Sequence, residues 1–378
     1  MKSDFNPEPP GEFEELDDQD ENSASSEQAE ALDLTVEERK LVTQPYDLGV
    51  RSLSEDIRQG RISLTIEYQR KYVWDSGKAS RLIESLLLNV PIPVCYFAED
   101  DDGVYEVIDG LQRLSTIRNY LNDEFSLNGI SVLSELEGKR FSELAPRDQR
   151  RLEGRTIRCI VITADSHPDI KFDVFERLNT GAATLTAQEL RNSVYRGPFN
   201  MQLKELASEE YFTDLVGTFS NKRMDLEELI LRFFALVEGV ADYRPPLRQF
   251  LNSYMRANRK SVIDDASVNL FRECCTTVHG VLGSSPFRMP GSRTAVNKAL
   301  FDAIMVPVAF SDRGQVVANA ASVRNFISEL PENESFRTSI GRATADRFRM
   351  LHRISVVADG LRDLGISVDL PDNLGLDS

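Results

Sequence analysis

Between Val104 and Ile117 the chain reads Val-Tyr-Glu-Val-Ile-Asp-Gly-Leu-Gln-Arg-Leu-Ser-Thr-Ile, and the middle of that run holds residue types that handle phosphate. Asp109 is a carboxylate able to hold a metal ion or its bound water. Gly110 lets the backbone approach an anion closely, and Gln112 and Arg113 offer an amide and a planar cationic fork to phosphate oxygens. The flanks say how these four would meet. Val104 to Ile108 is β-branched and aromatic with no breaker, which predicts a short buried strand. Asp109-Gly110 predicts a tight turn. From Leu111 to Leu121, Leu111, Leu114, Ile117 and Leu121 share one helical face and leave Gln112, Arg113 and Thr116 off it. A strand running through such a turn into a helix aims the free N–H groups of the first turn outward. That end carries roughly half a positive charge and suits an anion. The same corner also reads as an ordinary structural turn with Asp109 as the helix N-cap.

Three other clusters have chemical potential. Ile66 to Trp74 interleaves Tyr68, Tyr72 and Trp74 with Arg70 and Lys71, a pattern that can stack and clamp a nucleotide or cover a core edge. Lys139 to Arg158 holds seven basic residues. Arg147, Arg150 and Arg151 lie at its centre and read either as a solvated face or as a rim for nucleic acid. Arg177, Asn179, Glu189, Arg191 and Asn192 gather around one helix-turn-helix corner. There Thr186-Ala-Gln-Glu189 spells a capping box, which by itself accounts for Glu189.

The surrounding pattern supplies the scaffold. Residues 42–64 read as a linker with a short helix at 53–59. Lys78 to Asn89 is a helix with Leu82, Ile83, Leu86 and Leu87 inward, and Pro91 and Pro93 lead into a strand at 94–97. Asp100 to Gly103 is a hairpin turn. A further strand is expected at 156–163 and a helix at 169–178, closed by a left-handed cap at Asn179-Thr180-Gly181. After Gly197 the periodicity is helical throughout, with helices expected near 262–279, 293–310, 315–329 and 338–362.

Composition narrows the class. The 378 residues carry a net charge of −17, but residues 1–36 hold twelve acids and one lysine, which leaves −6 for everything else. That acidic segment, rich in Ser and Gln, reads as a disordered tail over residues 1–40. The overall acidity excludes general nucleic-acid coating but not a local basic groove. Cys95, Cys159, Cys274 and Cys275 lack zinc or redox spacing and read as core residues of a cytoplasmic protein. No secretory h-region and no membrane span is expected. A P-loop and a dinucleotide-binding glycine fingerprint are both absent, and His167, His279 and His352 stand far apart.

Taken in order, Tyr68-Gln-Arg-Lys-Tyr-Val-Trp74, Leu82-Ile-Glu-Ser85, Pro91-Ile-Pro93, Ile108-Asp-Gly-Leu-Gln-Arg-Leu-Ser-Thr-Ile117, Phe175-Glu-Arg-Leu-Asn-Thr-Gly181 and Leu185-Thr-Ala-Gln-Glu-Leu-Arg-Asn192 resemble the N-terminal domain of GmrSD-type, modification-dependent restriction endonucleases. The resemblance implies an α+β fold. A small mixed-sheet, ParB/sulfiredoxin-like domain at 41–184 would be followed by an all-helical domain at 185–378. It implies binding of a nucleoside triphosphate with Mg²⁺, with Asp109, Gln112 and Arg113 as catalytic residues and Asp109 at the metal. Gln69, Arg70, Gly110, Arg177 and Asn179 would be the nucleotide-binding residues, and Arg147, Arg150 and Arg151 the DNA contacts. The family's Asp-Gly-Gln-Gln-Arg motif departs here at Leu111. The lost amide bears on hydrolysis more than on binding. The His-Asn-His nuclease site of many relatives has no counterpart among the three histidines. The implied role is therefore nucleotide-dependent sensing or specificity, with a nuclease partner making the cut. The alternatives are a ParB-like DNA-binding module without hydrolysis and an inactive partner-binding scaffold.

Overall fold

The computed structural model describes residues 40–64, 74–100, 102–178, 185–217, 221, 223–289 and 296–370. Two compact units emerge. Among the described residues, the first runs from Lys40 to Arg196 and includes residues 223–224; the second holds the remainder from Gly197 onward. The expected tail and the expected cap at Asn179 lie outside the described residues.

The first unit is built on a five-stranded mixed sheet in the order β1-β5-β3-β4-β2. Its strands are β1 (Thr43–Gly49), β2 (Ile62–Ser63), β3 (Cys95–Glu99), β4 (Tyr105–Asp109) and β5 (Thr156–Ile162). β3 and β4 form the antiparallel hairpin expected from the sequence, and β3 pairs with β5 in parallel. The hairpin turn is tied by Asp100, whose Oδ1 accepts from the backbone N–H groups of Asp102 and Val104 at 2.9 and 2.8 Å. β1 and β2 correct the linker reading of residues 42–64. Thr-Gln-Pro-Tyr-Asp-Leu-Gly lacks apolar alternation because β1 is a largely exposed strand, held by antiparallel pairing with β5 along its whole length. β2 is only two residues long and is fixed by parallel pairing with β4. Tertiary pairing, not local preference, makes both strands.

Helices α1 (Val50–Arg58), α2 (Ser76–Leu88), α3 (Leu111–Leu121) and α4 (Pro146–Glu153) supply apolar residues to one core. Leu53, Ile83, Leu86, Leu114, Ile117 and Leu152 pack there with Cys95, Phe97, Val107, Ile157, Cys159 and Val161 from alternating strand positions. Leu111 packs against the rim of this core, as its place on the apolar face predicts. Two helices follow β5: α5 (Pro168–Leu178) and α6 (Ala187–Val194). α6 opens with the predicted capping box, Thr186 and Glu189 satisfying each other's backbone N–H groups.

One polar contact sets the loop beyond α3. Glu84, in the middle of α2 and nearly buried, accepts from the backbone N–H groups of Ser131, Val132 and Leu133 through one oxygen at 3.1, 2.7 and 2.9 Å. The acid in Leu82-Ile-Glu-Ser85 is therefore a loop anchor. A lone acid among inward leucines was its sequence signal.

The second unit is helical: α7 (Pro198–Ala207), α8 (Glu210–Val216), α9 (Asp225–Gly239), α10 (Leu247–Asn258), α11 (Asp265–Leu282), α12 (Lys298–Ala309), α13 (Arg313–Ala318), α14 (Ala320–Glu329), α15 (Glu334–Gly341) and α16 (Arg347–Asp363). Two single helices expected from periodicity are each two helices. Asn319 separates α13 from α14, and residues 342–346 separate α15 from α16. At the second break Asp346 opens α16 as a side-chain N-cap; at the first, Asn319 makes no cap to α14 and its Nδ2 donates back to the Gln315 carbonyl at 2.9 Å. No helix among the described residues is long and apolar enough to cross a membrane.

Candidate functional site

The Asp-Gly corner forms as the sequence predicts, with one change of roles. β4 ends at Asp109 and α3 begins at Leu111. Gly110, not Asp109, is the N-cap of α3, at φ +104°, and no side chain caps the helix. The register of β4 against β3 shifts between Tyr96 and Phe97, directly beside the turn. Such a bulge re-aims the strand end that carries Asp109.

Two observations make Gly110 obligatory. Its φ lies in the region that side chains rarely adopt, and a Cβ there would sit 2.6 Å from Cys95 Sγ. Cys95 is fully buried in β3 and forms the seat of the turn. Burial pushes its thiol up to about 11, with the Arg113 guanidinium pulling weakly the other way. The thiol is thus a neutral packing group and not a nucleophile. Sequence reading placed Cys95 in the core but not beneath Gly110. Strand alternation shows only that it points inward.

Arg113 is largely committed. Its Nη2 donates to Asp109 Oδ2, and its Nη1 donates to the carbonyls of Pro93 and, at 3.3 Å, Val94. The guanidinium is 11% exposed, whereas the Asp109 carboxylate is 44% exposed. The fork that the sequence offered to phosphate instead holds Asp109 in place and ties α3 to the segment entering β3. Asp109 stays the accessible group of the pair, reached by the i,i+4 spacing that faces it toward Arg113. Gln112 is half-buried in the first turn of α3, and its carbonyl accepts from Thr116 Oγ1 at 2.7 Å.

The remaining predicted residues divide. Gln69, Arg70 and Asn179 lie outside the described residues. Arg177 is exposed in the last turn of α5 and pairs with Asp173 at 2.9 Å. Trp74 packs on the core of the first unit. Arg147, Arg150 and Arg151 are exposed along α4. The other basic residues of that run are mostly structural. Arg155 donates to the carbonyls of Leu86 and Leu87 at 2.8 and 3.0 Å, closing the C-terminus of α2, and Arg158 pairs with Asp47 across β1 and β5. Arg140 donates to the carbonyl of Asp123.

A second charged group near the corner went unread in the sequence. Glu106 lies in β4 on the sheet face opposite Val107 and is 2% exposed. Burial raises its carboxyl to about 7, against the pull of Arg196, whose Nη1 meets its Oε1, while Ser193 Oγ lies 3.5 Å from Oε2. It fastens β4 to the end of α6. On α6 itself Gln188, Glu189, Arg191 and Asn192 are all buried, with Gln188 donating to Asn192 at 2.9 Å. Of the polar corner seen in the sequence, Glu189, Arg191 and Asn192 are thus interior, whereas Arg177 is exposed.

The described residues hold no cluster of three or more His, Cys, Asp or Glu side chains able to bind a metal ion by themselves. No curated protein matches the chain. A family model described as the N-terminal domain of the GmrSD restriction endonuclease matches residues 50–196, and the match ends with the last residue before the helical unit. Residues 50–196 are therefore similar to the N-terminal domain of the GmrSD restriction endonuclease.

Proposed function

We propose that the domain at residues 50–196 binds a nucleoside triphosphate at the Asp109–Gly110 corner and thereby switches or licenses a restriction system of which this chain is a component. The observation that carries the reading is the corner itself: a glycine-capped helix N-terminus with no side-chain cap, beside a carboxylate held half-exposed by a largely covered arginine. Uncapped N–H groups and the helix dipole favour phosphate oxygens. Mg²⁺ suits the donor set, because this ion is commonly bound by one or two carboxylates with substrate phosphates and water completing its shell. Asp109 would hold it, and the ion would neutralise charge on the phosphates. Arg113 acts through Asp109 as a positioning residue, and Gly110 keeps the turn open. Gln69, Arg70, Arg177 and Asn179 are proposed to close the nucleotide from its flanks.

Leu111 replaces one amide of the family motif, so binding rests on the turn and Asp109, and any hydrolysis rests on Gln112. Cutting is assigned to a nuclease partner. The three histidines have unrelated neighbours: His279 meets Ser284, His352 meets Ser335, and the Asp169 N–H meets His167.

A second reading, a DNA-binding module without hydrolysis, draws on the exposed row Arg147, Arg150 and Arg151. A thermal-shift panel of nucleoside triphosphates, with and without Mg²⁺, separates the two. The proposal expects at least one nucleotide to raise the melting temperature in a Mg²⁺-dependent way. Nucleotide-independent stability with DNA binding that falls steeply with salt is the outcome of the second reading.

A further inference from the structure

We propose that the corner between α15 and α16 in the helical unit is a stacking platform for single-stranded nucleic acid. The inference is independent of the nucleotide site. Its centre is Phe348, 59% exposed in the first turn of α16, while its neighbours Met350 and Leu351 are buried. One helical turn on, the His352 ring lies nearly parallel to it, at 4° with centroids 5.8 Å apart. Ser335, near the start of α15, fixes that ring through a 2.8 Å contact between its Oγ and His352 Nε2. Partial burial lowers the His352 pKa, so the imidazole is a neutral π surface at pH 7. Two parallel rings are therefore held on the outside of the fold by packing and a hydrogen bond.

The charge around them is mostly positive. Residues 334–353 contain five arginines, Arg337, Arg342, Arg347, Arg349 and Arg353, against Glu334 and Asp346. Arg353 is consumed in the interior, where it pairs with Asp302. Asp346 caps α16 by accepting the Arg349 N–H at 3.0 Å. Arg349 Nη1 donates to the backbone carbonyl of Arg342, which ties the end of α15 to the first turn of α16, where Phe348 sits. Arg337 and Arg342 are exposed. Glu334, also exposed, is the one acid of the stretch not engaged as a cap.

Exposed aromatic faces beside arginines match a polyanion whose bases are unpaired. Each base has a π face to stack, and the phosphates follow the cations. A duplex hides its base faces in the stack. An apolar protein partner is disfavoured by a rim of charge around a single ring pair.

Fluorescence anisotropy of the full chain with a labelled oligothymidylate of about 15 nucleotides tests this, at low and at moderate salt. Phe348→Ala is expected to weaken binding roughly five- to a hundredfold, and Phe348→Trp to retain it. Arg342→Glu is expected to flatten the salt slope by about one. The melting temperature should not move with Phe348→Ala. If it does, Phe348→Leu, which keeps an apolar side chain without a π face, decides the matter by losing affinity. Wild-type affinity in the Leu variant, absence of oligothymidylate binding by the full chain at low salt, or a duplex bound as tightly as the single strand through Phe348 would each overturn the proposal.

Discussion

Asp109 and Asp302 both hold arginine, yet one is half-exposed at the proposed site and the other is sealed in a core. Asp302 in α12 is fully buried. Its Oδ1 accepts from Arg232 Nε at 3.0 Å, and its Oδ2 accepts from Arg232 Nη2 at 2.6 Å and Arg353 Nη2 at 2.9 Å. Arg353 goes on to donate to the Thr344 carbonyl at 2.6 Å, and Glu228 and Lys298 extend the network. Both carboxylate oxygens are used, and the side chain has no exposed surface. At Asp109 the arginine is largely covered but the carboxylate is 44% exposed. The difference teaches that burial of the acid, more than the pairing, separates an ion pair that builds structure from one that can exchange its partner for a ligand.

The largest expected effect tests the buried member. Asp302→Ala removes the carboxylate that two interior guanidinium groups share, leaving Arg232 only the longer contact to Glu228, and should cost about 3–5 kcal/mol, read by chemical denaturation of the full chain. Asp109→Asn breaks a half-exposed pair and should cost no more than about 1 kcal/mol. Equal losses at the two sites would erase the distinction.

Glu106 gives the next effect, and its sign is opposite to that of an ordinary paired acid. Its folded pKa, about 7, lies above the usual value of 4.5 because of burial. Its contribution to stability is therefore present below pH 4.5 and lost as pH rises through about 7. Over that window the loss should approach roughly 3 kcal/mol, and Glu106→Gln should remove it from the stability–pH profile. A Gln variant with the wild-type profile would mean that the Arg196 pairing keeps the carboxyl ionised.

Gly110→Ala should destabilise by about 1–3 kcal/mol, because it combines a positive φ with a clash at Cys95. Adding Cys95→Ala should recover the clash but not the backbone strain, a non-additivity that a double-mutant cycle measures. Smaller still, Arg147, Arg150 and Arg151 changed together to glutamate should shift stability by about 0.5 kcal/mol or less per site. If α4 touches DNA, the same variant flattens the salt slope of duplex binding. An unaltered slope returns the row to an ordinary solvated face.

Much of the corner was legible because each local signal agreed. The apolar run ending at Ile108, the Asp-Gly pair and the leucine stripe from Leu111 to Leu121 all call for strand, turn and helix, and α3 occupies that very span. The capping box at Thr186 was legible for the same reason. What sequence could not show depends on partners distant in the chain. β1 owes its existence to β5, the seat under Gly110 to Cys95, and the commitment of Arg113 to carbonyls at Pro93 and Val94. Arg113 looked like an available fork because its helical position is off the apolar face. Only the fold brings the entry to β3 alongside it. Arg155 and Arg158 misled in the same way: a basic run in one dimension became a helix cap and a strand-to-strand ion pair in three.

The central claim is that the half-exposed Asp109 carboxylate, held by Arg113 beside an uncapped helix end, receives Mg²⁺ and a nucleoside triphosphate. Isothermal titration of the wild-type chain and of Asp109→Asn, with and without Mg²⁺, at a temperature where both are folded, tests it most directly. The account predicts Mg²⁺-dependent binding in the wild type, and in Asp109→Asn a loss of the Mg²⁺ dependence with affinity reduced roughly tenfold or more, while melting temperature scarcely moves. A stable Asp109→Asn protein that binds nucleotide with unchanged affinity and unchanged Mg²⁺ dependence would contradict it.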